Sequence, residues 1–210
     1  MASRYRLETM TATATDTKQL ILKVALKQFA DRGFSAVSLN DIAEEVGIKK
    51  PSILHHFSSK EALYRAVLLE EFADWVFLMT DAIGKNLNGW DQVEQLLRAA
   101  FTFFEKHPDF VRIARREALD PESLFSTELG ASLKPLVDQG AAYLQAEMDA
   151  GRLKQYDPRQ LLITGYGASL SYLSDASLVN AVIDGDPLSD EALATRREHV
   201  LAVLKEAVAP

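Results

Sequence analysis

The chain has 210 residues, 48% of them hydrophobic and 25% charged, with no cysteine and a formal net charge of −7. That is enough chain to bury a core as one domain or two small ones, and the missing cysteines exclude a disulfide framework, a thiolate zinc site and a thiol nucleophile. No run reaches the ~18 apolar residues of a membrane span, and the charge, taken whole, argues against a polyanionic partner.

Arg4 and Arg6 are followed by Thr and Ala instead of an apolar stretch, so residues 1–16 read as a flexible leader and not as a signal peptide. Ile21, Ala25 and Phe29 then recur at helical spacing, and Gly33 stops that helix. Ser38 with Asp41 resembles a capping box for a short helix carrying Ile42, Ala43 and Val46. Gly47 breaks this helix, and Ile48 follows as an apolar plug. Pro51 suits the first turn of another short helix, ending near Phe57. Ser59, Lys60 and Glu61 open a long connector over about 60–84.

Beyond Gly84 the pattern predicts longer helices. They fall at 90–106 (halted by Pro108), 110–119 (halted by Pro121) and 124–150 (bent near Pro135 and closed by Gly151). Asp157 and Pro158 cap a helix over 157–183, and Ser189 caps a last one over 189–208. No alternating strand pattern, internal repeat or low-complexity tract interrupts them. The chain reads as all-α, with three short helices and a connector leading into a bundle.

Function concentrates between Ser38 and Phe57, which reads as helix, tight turn, helix. Such a motif needs a small residue where the helices cross, a turn residue able to adopt φ > 0, and an apolar plug after it. Ala43, Gly47 and Ile48 supply these at the spacing A-x-x-x-G-I, although a hairpin in any helical bundle shows the same trio. Lys49 and Lys50 stand at the entry of the second helix, where recognition side chains reach base edges. His55 and His56 lie on the same short helix; as neighbours about 100° apart they do not converge on one metal ion. Charge supports the division. Residues 1–65 hold ten Lys and Arg against seven Asp and Glu, a net of +3, and residues 66–210 hold thirteen against twenty-three, a net of −10.

The stretch ILKVALKQFADRGFSAVSLNDIAEEVGIKKPSILHHFSSKEAL, from Ile21 to Leu63, resembles the TetR family of helix-turn-helix transcriptional regulators. The matching features are Gly33-Phe34, Asp41-Ile42-Ala43, Gly47, His56-Phe57 and Lys60-Glu61. The resemblance implies a DNA-binding domain over 17–64 and a ligand-binding and dimerisation domain over 65–210. It implies that the helix around Lys50 enters the major groove, with Lys49, Lys50, Ser52 and His55 near bases or phosphates. Ser38, His56 and Lys60 would meet the backbone. One departure is Leu54, where the family usually carries a tyrosine; a phosphate contact is expected to be missing there, with Leu54 packing inward instead.

For the acidic body the resemblance implies a small-molecule cavity, for which Trp75, Met79, Phe101, Phe104, Ile113, Tyr143 and Tyr166 are the candidate walls. It also implies a two-fold dimer through the last two helices, with Leu162, Tyr166, Tyr172, Leu173, Leu178, Leu193, Val200, Leu201 and Leu204 as interface candidates. Read without the family, an aromatic stripe is more often a plain core than a pocket wall, and some interface candidates belong inside one chain. Arg112, Arg115 and Arg116 are read as pairing with Glu117 and Asp120 in preference to binding an anionic ligand. No metal, cofactor, catalytic residue or membrane contact is expected. The expected partners are operator DNA, a small effector and a second copy, in the cytoplasm. The rival reading is an all-α carrier or enzyme with a vestigial DNA-binding head.

Overall fold

The computed structural model describes the chain apart from Met1, Asn86, Pro121 and Glu122; for residues 2–15, 124, 125 and 128 it describes the backbone only. Every element among the described residues is a helix or a turn. The chain divides into two compact units, Met1–Phe72 and Ala73–Pro210.

The first unit holds α1 (Ala2–Arg32), α2 (Leu39–Val46), α3 (Lys50–His56) and the start of α4 (Lys60–Ile83). α1 is helical from Ala2, so the segment read as a leader continues the helix; neither Gly nor Pro interrupts it. The stripe of Ile21, Ala25 and Phe29 is fully buried, and Ile42 and Ala43 of α2, Ile53 of α3, and Leu63, Tyr64 and Val67 of α4 are buried as well; α1 packs on α2, and α2 on α3. Phe29, Phe34 and Tyr64 form an aromatic triangle, with ring centroids 4.9 to 6.0 Å apart. Gln28 shares the inward stripe and ties α1 to α2, its amide donating to Glu45 (2.6 Å) and to the Asp41 carbonyl (3.3 Å).

The second unit holds α5 (Gly89–Lys106), α6 (Pro108–Leu119), α7 (Leu124–Asp149), α8 (Pro158–Ser174), α9 (Ala176–Val182) and α10 (Asp190–Val208). Pro121, read as the stop of α6, lies outside the described residues. The helix expected over 157–183 is broken at Asp175, whose φ of −103° and ψ of 20° leave the helical line. Three short polar side chains cluster at the break: Ser171 and Ser174 donate to the carbonyls of Gly167 and Ser171, and Ser174 also reaches the Asp175 carboxylate. Such local bonds compete with the helix ladder. α8 packs against α5, α6 and α7. Gly165 permits part of this approach, because a Cβ there would lie 3.3 Å from Leu97 of α5.

The core of this unit gathers Trp90, Leu144, Met148, Leu153, Leu201 and Val208. Beside it sits a polar clamp that the sequence did not announce. The Glu147 side chain, only 5% exposed, accepts from the Gly89 amide (2.7 Å) and from Arg152 Nε and Nη2 (2.7 and 2.6 Å). The clamp fixes the end of α7 to the start of α5. Gly89, at φ +54°, lies so close to the Arg152 carbonyl that a Cβ would stand 3.2 Å from it.

Arg152 holds the Glu147 carboxyl below the ordinary carboxylate range, outweighing the burial that raises it. A carboxyl depressed in the folded state contributes stability that is complete above the unfolded value of about 4.3 and disappears as pH falls through the lower folded value. Glu147→Gln should therefore unfold in less urea at pH 7, by about 2 kcal/mol. Its deficit should shrink as the medium is acidified below about pH 4. A deficit independent of pH would mean that the clamp acts through shape and not charge.

Candidate nucleic-acid interface

The motif begins at the N-terminus of α2. Ser38 Oγ accepts from the Asp41 amide at 3.2 Å, and Asp41 returns the bond by accepting from the Ser38 amide at 2.9 Å. The Ser38 amide, then its hydroxyl, and then Arg32 hold the Asp41 carboxyl below its usual range. Ser38 thus serves as the cap of α2. At the other end, Gly47 adopts φ +79°, and its amide and that of Ile48 close on the carbonyls of Glu44 and Ala43 at 3.1 and 2.9 Å. The left-handed residue reverses the chain within one turn, as an L side chain rarely allows. Ile48 follows half-buried, as the plug was expected to.

α3 then starts from extended Lys49, with Pro51 in its first turn. Ile53 is fully buried and Phe57, just past the helix end, is 6% exposed. Because successive helical side chains turn by about 100°, fixing Ile53 inward sends Pro51 and His55 to the opposite side, with Ser52 and Leu54 on its flanks. Burial agrees: Lys49, Lys50, Ser52 and His55 are all exposed, and His56 is half-buried. Lys49 and Lys50 make no ion pair among the described residues. The His55 and His56 rings meet edge to face, 5.5 Å apart at 72°. Leu54, expected to pack inward, is instead 41% exposed, since the inward positions are taken by Ile53 and Phe57.

Lys60 is the candidate that points elsewhere. Its Nζ donates to the carbonyls of Phe34 (2.8 Å) and Val37 (3.0 Å) and lies 4.1 Å from the centre of the Phe34 ring. It clamps the α1–α2 turn onto α4, so the ammonium read as a phosphate contact serves the scaffold. The amide end of α4 is capped by Ser59, whose Oγ accepts from Ala62 at 3.1 Å. Sequence reasoning also passed over Lys18 of α1, whose Nζ stands 5.9 Å from the Phe57 ring and so adds a cation beside the end of α3. Its place three residues before the Ile21 stripe was the available signal.

In the body, the candidate pocket residues Phe101, Phe104 and Ile113 are buried, Trp75, Met79 and Tyr143 are half-buried, and Tyr166 is 51% exposed. Phe103, between two of them, stacks on His107 at 4.3 Å. The Tyr143 hydroxyl is buried without a hydrogen-bond partner among the described residues. An open groove of about 600 Å³ lies elsewhere, lined by Tyr172, Ile183, Asp184, Arg196 and His199 among others. There the Arg196 guanidinium sits 5.3 Å over the Tyr172 ring. Arg112 pairs with Asp109, and Arg115 reaches Asp175 at 3.7 Å.

Two interface candidates belong inside the chain. Val200 and Leu201 are 5% and 4% exposed, and Leu162 and Leu204 pack on the cluster that contains Leu201. Helical spacing marks an apolar face without saying which neighbour covers it. Tyr172, Leu173 and Leu193 are half-buried. On α8, α9 and α10, the large apolar side chains left exposed among the described residues are Ile163 and Tyr166, Leu178 and Val182, and Val203.

Comparison with known proteins agrees with this geometry. Residues 21–67 match the family model for bacterial regulatory proteins, tetR family, and residues 90–204 match that for the tetracyclin repressor-like C-terminal domain. The HTH-type transcriptional regulator RutR of Escherichia coli (strain K12) is 30% identical over 194 residues, which span 92% of this chain and 91% of RutR. The HTH-type transcriptional repressor KstR2 of Mycobacterium tuberculosis (strain CDC 1551 / Oshkosh) is 36% identical over 99 residues, 47% of this chain and 49% of KstR2. Among solved structures, the ketosteroid transcriptional regulator KstR2 of Mycobacterium tuberculosis shares the fold with a TM-score of 0.73 at 20% identity, over 92% of this chain and 95% of that one. AibR, solved in complex with isovaleryl coenzyme A and operator DNA, shares it with a TM-score of 0.72 at 16% identity, over 89% and 97%.

The two roles assigned to lysines separate experimentally. Lys60→Ala should lower the stability of the first unit by about 2 kcal/mol, the worth of charged hydrogen bonds to the two carbonyls, whereas Lys50→Ala should stay within about 0.5 kcal/mol of wild type. Urea unfolding of both variants checks this. An unchanged midpoint for Lys60→Ala would return that lysine to the DNA side.

Proposed function

The chain belongs to the TetR family of helix-turn-helix transcriptional regulators, and we propose that it acts as a repressor, two copies of which hold a pseudo-palindromic operator until a small molecule releases them. The observation that carries this reading is the outward face of α3. Lys49, Lys50, Ser52 and His55 stand exposed there, on a helix whose inward side is anchored by Ile53 and Phe57. A helix so presented fits the major groove, and two copies related by a two-fold axis would read half-sites about one turn of DNA apart. Ser38, His56 and Lys18 are the accompanying backbone contacts. The work needs no chemical step, and we place it in the cytoplasm with the DNA it reads.

For the second copy we assign the apolar side chains that the chain leaves uncovered on α8, α9 and α10, with Tyr172, Leu173 and Leu193 at their margin. For the effector we assign the second unit, with Trp75, Met79, Phe101, Phe104 and Ile113 as apolar wall. Burial pushes the Tyr143 hydroxyl above the usual phenol range. A buried hydroxyl with no partner is the polar contact such a ligand would complete. AibR, solved in complex with isovaleryl coenzyme A, holds a molecule with an apolar acyl part, in keeping with these walls. α4 runs from the first unit into the second, so a ligand that favours one setting of this helix changes the spacing of two heads. A coupling of ~1–3 kcal/mol, 5–150-fold in affinity, is enough.

Gel-shift titration against the DNA upstream of the gene tests the reading. Wild-type protein should bind one fragment with an affinity that falls steeply with salt. Changing Lys49 and Lys50 together to Ala should flatten the slope of log K against log salt by about 0.9 for each phosphate that is no longer neutralised, while leaving the oligomeric state unchanged. Salt-insensitive binding, or none, would sink it.

A further inference from the structure

We propose that Leu54 reads sequence, packing its side chain against the C5-methyl group of a thymine in the major groove. The inference rests on the DNA-binding reading of α3 and adds to it a determinant of operator choice.

Leu54 is not needed to hold α3 in place. Ile53, fully buried, and Phe57, 6% exposed, already occupy the inward side, and Leu54 follows Ile53 by about 100° around the helix. Its side chain is 41% exposed, on the flank it shares with Lys50, four residues before, and Pro51, three before. Pro51 is exposed as well. The presented surface is therefore an apolar ridge of Pro51 and Leu54 bordered by the charge of Lys50 and the imidazole of His55. A single exposed leucine on an ordinary surface carries no message. This one stands on the face that carries Lys50 and His55, on a helix of only seven residues.

The chemistry then narrows the partner. Leucine neither donates nor accepts a hydrogen bond, so phosphate oxygens and the polar base edges are excluded as its complement. Among the edges that the four base pairs present in the major groove, the one apolar feature is the thymine methyl. Covering that methyl removes two apolar surfaces from water together, while Lys50 stays within reach of the adjacent backbone. The two-fold arrangement repeats the contact in each half-site, so the expected preference is a symmetric pair of thymines.

The experiment begins by selecting duplexes from a random-sequence pool with the full chain. Each thymine of the selected site is then replaced in turn by deoxyuridine, which removes the methyl group and nothing else. Replacement at one symmetric pair should weaken binding by about fourfold per half-site, the worth of one buried methyl group. Leu54→Ala should bind the thymine and uracil duplexes equally, with unchanged circular dichroism and thermal unfolding. Leu54→Gln, a polar side chain of similar length, should lose the methyl dependence too and, in a fresh selection, move that position towards adenine. Methyl dependence that persists in both variants, or a wild-type protein indifferent to every uracil replacement, would overturn the assignment while leaving DNA binding intact. A wild-type protein that enriches no sequence would overturn the underlying reading of α3, and this assignment with it.

Discussion

A helix of seven residues does not hold itself together in water, because nucleation costs more than so few hydrogen bonds return. α3 is such a helix, and the first unit is organised around keeping it formed. Ile53 and Phe57 are buried, and α3 packs on α2. Gly47 turns the chain without strain, and the reciprocal cap at Ser38 and Asp41 sets where α2 begins. Lys60 then draws the α1–α2 turn against α4 through two carbonyls. Each of these acts on the inward side. That leaves the outward side of α3 free of structural duty.

The electrostatics follow the same division. Three acidic groups of the first unit are engaged within it: Asp31 with Lys27, Asp41 with Arg32 and the Ser38 amide, Glu45 with Gln28. Lys49 and Lys50 have no such engagement among the described residues. A modest net charge thus leaves a locally positive surface, and local charge is what a duplex meets within a Debye length of about 8 Å. The acidic excess sits in the body, where Arg98 and Arg197 bridge α5 to α10 through Glu198 and Glu105.

Much of this was legible in the residues. Gly33, Gly47, Pro51, Asp157 and Ser189 act locally, through φ, capping or a missing amide, so the helix boundaries they set could be read without tertiary knowledge. Periodicity likewise gave the inward stripe of α1. What could not be read depends on partners distant in sequence. Leu201 is apolar at helical spacing, as an interface residue would be, but the neighbour that covers it is Trp90 and its cluster in the same chain. Lys60 looks like any first-turn lysine until the α1–α2 turn is placed beside it. Glu147 and Gly89 are 58 residues apart, and nothing in either neighbourhood announces the other. Leu54 misled for a simpler reason: one apolar residue beside another on a helix points to a different side, and only one side was inward.

The break at Asp175 leaves a second helix of seven residues, α9, with none of its residues buried. Where α3 has two buried anchors, α9 has none, and it is attached to α8. Its amides should therefore open locally at a free energy far below that of global unfolding and exchange with solvent among the earliest in the body. That makes α9 a clock for whatever settles on it. A companion surface that covers Leu178 and Val182 would slow exchange there before it changed any global melting temperature. The slowing would count, residue by residue, how much order is contributed by contact and how much was already in the chain.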